Sequence, residues 1–561
     1  MSAVVVGTAV VLISLSVGCT GIGISHYHEK AVVVTAAPIA TNAGKAVLHE
    51  GGNAFDAAVT VGFVLAVVHP EAGNIGGGGF ALTRHGTSGA IEALDFREVA
   101  PGAATEGMYQ DDSGEVIPGL STFGVIAAGV PGTVAGLYEL WDKHGSLPWE
   151  QLVGVATALA DTGFVIDKYL AASLEKHRED LSEFPETAKL FFPDGRSFRQ
   201  GDRFIQEDLA KTLYAIATDG ADGFYKGEVA GKIETCMRKH GGLITRDDLE
   251  QYRPVWRVPI HFKFDSLDIY SMPPPSSGGI CVGQILKLLE PYDFSGFSPT
   301  STEYIHLFCE TSRLAFADRS EHLGDPDFTV IPNSLLNETY LKRRRDLISK
   351  GQASSSQKIR PGTPPLLESD QTTHFSLCDS AGNMVAITYT LNTAYGCKLA
   401  VNGAGFLLNN EMDDFSIKPG FPNVYGLVGG EANKIESGKR MLSSMSPTLV
   451  LKDNQPFMVL GTPGGSKIIT VVAQTIINFT RYGMNLTDAV AHPRFHHQWL
   501  PDKIYLEQSV FDINAIQGLI ARGHDVEERT PFGDLQAIHI DDNGLMTGAS
   551  DSRGRGTVAG L

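Results

Sequence analysis

Asp370-Gln371-Thr372-Thr373-His374-Phe375-Ser376 separates two kinds of sequence. Before it, Arg360-Pro361-Gly362-Thr363-Pro364-Pro365 carries prolines that exclude helix and central strand and favour an exposed connector. After it the chain alternates. Phe375 and Leu377 share one face, and Val385, Ile387 and Tyr389 share one beyond the break Ser380-Ala381-Gly382-Asn383. Thr373 to Leu391 therefore reads as a β-hairpin. A three-residue loop with Gly382 in the left-handed position centres it near Ala381 and pairs Thr372 with Thr390.

A hydroxyl residue at the head of a strand, behind a cleavable linker, suits one chemistry. If the Gln371-Thr372 bond is cut, the α-amine of Thr372 has a pKa of about 8 and is partly neutral near pH 7. It can then act as general base for its own hydroxyl, with Thr390 holding the same oxygen by a hydrogen bond. Threonine is common at strand starts, so Thr372 alone has an ordinary structural reading. The surrounding motifs change that.

Thr372-Thr373-His374-Phe375-Ser376 is followed by Thr388-Tyr389-Thr390-Leu391-Asn392-Thr393 and Leu408-Asn409-Asn410-Glu411-Met412-Asp413-Asp414-Phe415-Ser416. Leu442-Ser443-Ser444-Met445-Ser446-Pro447-Thr448 and Gly461-Thr462-Pro463-Gly464-Gly465-Ser466 come next. In this order they closely resemble the γ-glutamyltranspeptidase family of N-terminal-nucleophile hydrolases, and the likeness spans nearly everything after residue 30. The resemblance implies an α+β fold, a four-layer αββα sandwich. It also implies a precursor that cuts itself between Gln371 and Thr372 into a large subunit (30–371) and a small catalytic subunit (372–561) that stay together as a heterodimer.

Residue by residue, the resemblance makes Thr372 the nucleophile and assigns the substrate α-carboxylate to Arg97, in Asp95-Phe96-Arg97-Glu98, and to Ser443 and Ser444. Asn392, Glu411 and Asp414 match the positions that hold the α-ammonium, and Gly464-Gly465 match the amides of the oxyanion hole. Tyr425, before the glycine-rich Gly426-Leu427-Val428-Gly429-Gly430, matches the tyrosine of a lid. Met441 stands where proline is usual and Lys467 where arginine is usual. The expected substrates are glutathione and other γ-glutamyl compounds, with water or the amines of amino acids and peptides as acceptors. A glutaryl or cephalosporin acylase on the same scaffold, which needs no ammonium site, is the alternative enzyme. A non-catalytic binding protein is the alternative class, and the joint presence of Thr372, Thr390, Arg97 and Gly464-Gly465 argues against it.

Composition sets the outer bounds. Hydrophobic residues make up 43% of 561 and charged residues 19%, as in soluble globular proteins. Lys plus Arg number 45 against 64 Asp plus Glu, and a net charge of -19 disfavours nucleic acid and anionic membrane as partners. The six cysteines are scattered and form neither a zinc pattern nor a compact disulfide framework. Gly73-Asn74-Ile75-Gly76-Gly77-Gly78-Gly79-Phe80 lacks the ending of a P-loop and reads as close backbone packing. His492, His496 and His497 resemble metal ligands in type, but Pro493 breaks a regular helical face, and no metal or other cofactor is expected. Ala3 to Ser25 is an uncharged apolar run, long enough for a signal peptide or membrane anchor. It predicts export to the periplasm or the exterior.

Overall fold

The computed structural model describes residues 27–359, 372–418 and 420–561. The apolar run 3–25, the connector and Gln371 lie outside them. The hairpin forms as read: Thr373–Asp379 runs antiparallel to Met384–Thr390, with Thr373 opposite Tyr389 and Cys378 opposite Met384. One further step of this register sets Thr372 against Thr390. At the turn, Asp379 N donates to Asn383 O at 3.2 Å, and Gly382 has φ 79°. The Asp379 carboxylate accepts from Ala381 N at 3.0 Å and Asn383 N at 3.1 Å, which fixes the loop.

The hairpin lies at the centre of a seven-stranded antiparallel sheet. The order is Thr557–Gly560, Ala31–Thr35, Thr373–Asp379, Met384–Thr390, Gly78–Arg84, Ile91–Phe96 and Val255–Arg257. A second antiparallel sheet runs Tyr27–His28, Met546–Ser550, Gln536–Ile540, Gln455–Gly461, Thr448–Lys452, Leu267–Ser271 and Ile260–Phe264. Strands from before residue 360 and from after residue 371 interleave in both sheets.

The two-residue period of the strands sorts side chains into two cores. Val33, Ala81, Phe375, Leu377, Val385, Ile387 and Tyr389 pack with the helices Ala54–Val68, Thr133–His144 and Trp149–Thr162. Val32, Val34, Phe80, Leu82, Cys378, Met384 and Ala386 pack instead with Ile269, Leu449 and Val459 of the second sheet and with its covering helices Gly278–Leu289, Thr302–His322 and Lys467–Thr480. Helix, sheet, sheet and helix thus form the four layers expected from the sequence. Both hairpin strands are buried along their whole length, and Thr372 immediately precedes the first of them.

The glycine run does pack backbone against backbone. A Cβ on Gly77 would lie 2.0 Å from Thr390 O, so only glycine lets this segment pass beside the end of the hairpin. The five cysteines among the described residues are all buried and free. None of the described helices is long and apolar enough to cross a membrane.

Candidate active site

Thr372, Thr390, Asn392, Arg97, Glu411, Asp414, Tyr425, Ser443, Ser444 and Gly465 line one pocket of about 280 Å³. Gly464 lines a neighbouring cavity, which also has Thr372 in its wall. Every candidate residue named from the sequence, Gln371 aside, is therefore at this place.

Arg97 leaves the strand Ile91–Phe96 and is fully buried. Its Nη1 donates to Glu411 Oε1, its Nη2 to Asp414 Oδ2 at 2.5 Å, and its Nε to Met441 O at 3.3 Å. Glu98 Oε2 lies 3.6 Å from Nη1. The sequence reading set Arg97 and the acidic pair at opposite ends of a ligand; here they bind each other. Three of the five guanidinium N–H groups are used, leaving one on each terminal nitrogen. Burial opposes the Arg97 charge, but Glu411, Asp414 and Glu98 outweigh it and raise the guanidinium pKa. Burial pushes the carboxyls up despite Arg97: Glu98 to about 7, Asp414 above its usual range, and Glu411 well above it.

Arg97 ion-pairs with three carboxyls and does not fill their capacity to accept hydrogen bonds. The unpartnered atoms agree: Glu411 Oε2, Asn392 Oδ1 and both Glu98 oxygens are buried and accept no hydrogen bond from a described residue. Asn392, with φ 77°, is held in place by Asn392 N donating to Thr390 Oγ1 at 2.8 Å and Nδ2 donating to Asn410 O at 3.0 Å. The turn Glu411–Asp414 is anchored by Asn409, whose Oδ1 accepts from Gly129 N and Glu411 N and whose Nδ2 donates to Gly76 O and Gly129 O. This explains why a polar Asn-Asn pair precedes the acids: it satisfies buried backbone that would otherwise be orphaned.

The Gly464 and Gly465 turn, at φ 134° and 54°, leads into the helix Lys467–Thr480. Their amides donate to no described acceptor. A Cβ on Gly465 would meet the Tyr425 ring at 2.5 Å. Tyr425 is buried; its hydroxyl donates to Asn392 O at 2.6 Å, and its carbonyl accepts from Gln498 Nε2 at 2.9 Å.

The gamma-glutamyltranspeptidase family model matches residues 40–561. The chain belongs to the γ-glutamyltranspeptidase family. It is 46% identical over 527 residues to a glutathione hydrolase proenzyme of Escherichia coli (strain K12), covering 94% of this chain and 90% of that one. The solved γ-glutamyltranspeptidase of Helicobacter pylori aligns at 44% identity and TM-score 0.57, over 62% of this chain and 97% of that one. A cephalosporin acylase from Bacillus halodurans shares the fold at TM-score 0.85 and 27% identity, over 98% of this chain and 99% of that one. The match to the family, and to this proenzyme of Escherichia coli, thus extends over almost the whole chain.

In this family member three contributors escaped the sequence reading. Arg319, on the helix Thr302–His322, is buried and donates to Ser277 Oγ at 2.9 Å and Ser444 Oγ at 3.4 Å. No described carboxylate lies within ion-pair distance of it, and burial lowers its pKa. Asn423 donates to Asp414 Oδ1 at 2.8 Å while its Oδ1 accepts from Tyr425 N and Leu427 N, coupling the acidic turn to the tyrosine loop. Asp413 accepts from Ser121 Oγ at 2.6 Å and Val424 N at 2.7 Å, and burial pushes it to about 7. No signal marked Arg319, because an arginine in a helix buried nearly all round looks like any ion-pair partner. The three histidines do not converge: His496 bonds Thr470 and Gln498, and His497 bonds Asp502.

Proposed function

We propose that the chain is a γ-glutamyltranspeptidase and glutathione hydrolase, made as a proenzyme that cuts itself between Gln371 and Thr372. In maturation Thr372 Oγ attacks the Gln371 carbonyl, the acyl group moves from nitrogen to oxygen, and water hydrolyses the ester. Residues 1–371, less any leader, and 372–561 remain one heterodimer; the interleaving of their strands in both sheets supports this.

In turnover the Thr372 α-amine takes the hydroxyl proton, Oγ attacks the γ-carbonyl of glutathione, and cysteinylglycine leaves. The Gly464 and Gly465 amides stabilise the oxyanion. Water then yields glutamate, or an amino acid or peptide amine yields a new γ-glutamyl compound. Arg97, Ser443 and Ser444 hold the α-carboxylate, Asn392, Glu411 and Asp414 hold the ammonium, and Tyr425 covers the bound group. The apolar run 3–25 supports export.

This reading is carried by the unfilled hydrogen-bonding capacity beside Thr372. A guanidinium with spare N–H groups and buried acceptors without donors, Glu411 Oε2 and Asn392 Oδ1, complement an amino-acid zwitterion. A substrate lacking the α-amine leaves those acceptors orphaned, at a cost of about 1–3 kcal/mol each. Hydrolysis of γ-glutamyl-p-nitroanilide and glutaryl-p-nitroanilide by purified enzyme tests this. The γ-glutamyl compound is expected to be strongly preferred; preference for glutaryl makes the protein an acylase.

A further inference from the structure

Gln498 joins two parts of the site that the chain keeps apart, the tyrosine loop and the glycine turn. Its side chain is buried. Nε2 donates to Tyr425 O at 2.9 Å and to Leu500 O at 3.2 Å. Oε1 accepts from Ser466 Oγ at 2.6 Å and lies 2.9 Å from His496 Nε2. A primary amide has two donors and two acceptor lone pairs, so all four are in use and the group has one orientation. The tautomer of His496 follows from it. Nε2 carries the proton and donates to Gln498, and Nδ1 accepts from Thr470 Oγ1 at 2.7 Å. Burial drops the imidazole pKa to about 3, so the ring is neutral near pH 7.

The backbone beside this amide is strained. Trp499 has φ 69°, a left-handed conformation that bulky residues rarely adopt. It is held by its own N–H donating to His497 Nδ1 at 3.1 Å and by the indole donating to Ser356 O and Ile359 O at 3.1 and 2.8 Å. Such strain persists only where neighbours over-determine it, and it clusters at functional sites. Gln498 does not line the pocket around Arg97, so it acts through its neighbours. Tyr425 sets its ring against Gly465 and its hydroxyl on Asn392 O. Ser466 directly follows the glycine pair and precedes the helix Lys467–Thr480. A buried glutamine is ordinarily a satisfied core amide. This one fastens the residue over the pocket to the residue behind the glycine amides.

We propose that Gln498 is a positioning residue for turnover. Its NH2 holds the Tyr425 backbone so that the ring covers the bound group, and its carbonyl holds Ser466 so that the Gly464 and Gly465 amides keep their aim at the oxyanion. The proposal rests on the γ-glutamyl reading above. The two arms carry different kinetic losses: the NH2 arm acts on retention of the bound group, the carbonyl arm on the transition state.

The test is a double-mutant cycle read on release of p-nitroaniline from γ-glutamyl-p-nitroanilide. Gln498→Met keeps the length and removes every hydrogen bond. KM should rise about tenfold and kcat fall about tenfold, the scale of one buried hydrogen bond lost on each side. Ser466→Ala cuts the carbonyl arm alone and should lower kcat with KM held within about twofold. In a Tyr425→Ala background Gln498→Met should leave KM unchanged, because the ring it places is gone, while the fall in kcat remains. Gln498→Glu keeps the oxygen side and loses the donors, and it gives the same KM readout in both backgrounds if the methionine variant does not fold. An equal rise in KM with and without the Tyr425 ring is what a merely structural glutamine gives, and it overturns the proposal. Wild-type kcat and KM in the Gln498 variants overturn it too. Absence of p-nitroaniline release by wild type would instead remove the γ-glutamyl reading on which the proposal stands.

Discussion

Thr390 Oγ1, opposite Thr372, accepts the backbone N–H of Asn392 at 2.8 Å, which restricts the orientation of the hydroxyl. A hydroxyl held in this way is suited to donate toward the Thr372 oxygen. Thr390→Val keeps the shape and removes the donor; kcat should fall by about tenfold or more, the scale of one lost hydrogen bond in a buried site. Thr390→Ser should keep most activity. Steady-state kinetics on γ-glutamyl-p-nitroanilide decides, and equal rates for wild type and the valine variant would remove Thr390 from the mechanism.

Arg97 is the shared cation of Glu411, Asp414 and Glu98. Arg97→Gln leaves buried carboxyls without it, a type of loss that commonly costs about 3–5 kcal/mol. Because burial already drives those carboxyls toward the neutral form, the deficit should shrink as pH falls and they take up protons. Lysine cannot bridge two acids in the way the planar fork does, so Arg97→Lys should rescue little. Denaturation midpoints of both variants at pH 5 and 8 measure this; a deficit independent of pH would contradict it.

Glu98, whose Oε2 lies 3.6 Å from Arg97 Nη1, offers a pH test of the proposed ammonium site. Its folded pKa, about 7, lies above the ordinary 4.5. Between these values the folded protein keeps a proton that the unfolded chain has lost, so this group makes stability fall as pH rises from about 4.5 to 7. A bound ammonium favours the ionised form and lowers the pKa. Ligand affinity should therefore rise with pH through 7, by at most about tenfold per pH unit for one proton. L-glutamate should raise the melting temperature more at pH 8 than at pH 6, and Glu98→Gln should flatten the difference. An equal shift at both pH values in wild type would rule the coupling out.

Arg319 reaches Ser277 and Ser444 from the second layer of helices. If it positions the serine pair, Arg319→Leu should raise the KM for γ-glutamyl-p-nitroanilide by about tenfold while lowering kcat less. A fall in kcat alone would place Arg319 outside donor binding.

The hairpin was legible because its information is local. Alternation from Phe375 to Tyr389 and the glycine at position 382 fix face and register together, and the pairing of Thr373 with Tyr389 follows. The residues named from the family motifs line one pocket, but their partners were not legible. Arg97 binding Glu411 and Asp414 joins segments more than 300 positions apart, and no periodicity reports such a contact. Nor was the edge strand Thr557–Gly560 beside Ala31–Thr35 foreseeable, since long-range pairing depends on what the whole sheet buries. Arg319 stayed hidden for the opposite reason: a charged side chain in a helix looks solvated until the fold encloses it.

The proposed backbone break at Thr372 is read by a denaturing gel of purified wild type beside Thr372→Ala, with N-terminal sequencing of the smaller fragment. Wild type should give two bands, the smaller beginning at Thr372, and the alanine variant a single full-length band without activity. Active wild-type protein that runs as one full-length band, or whose small fragment begins at another residue, would contradict the account.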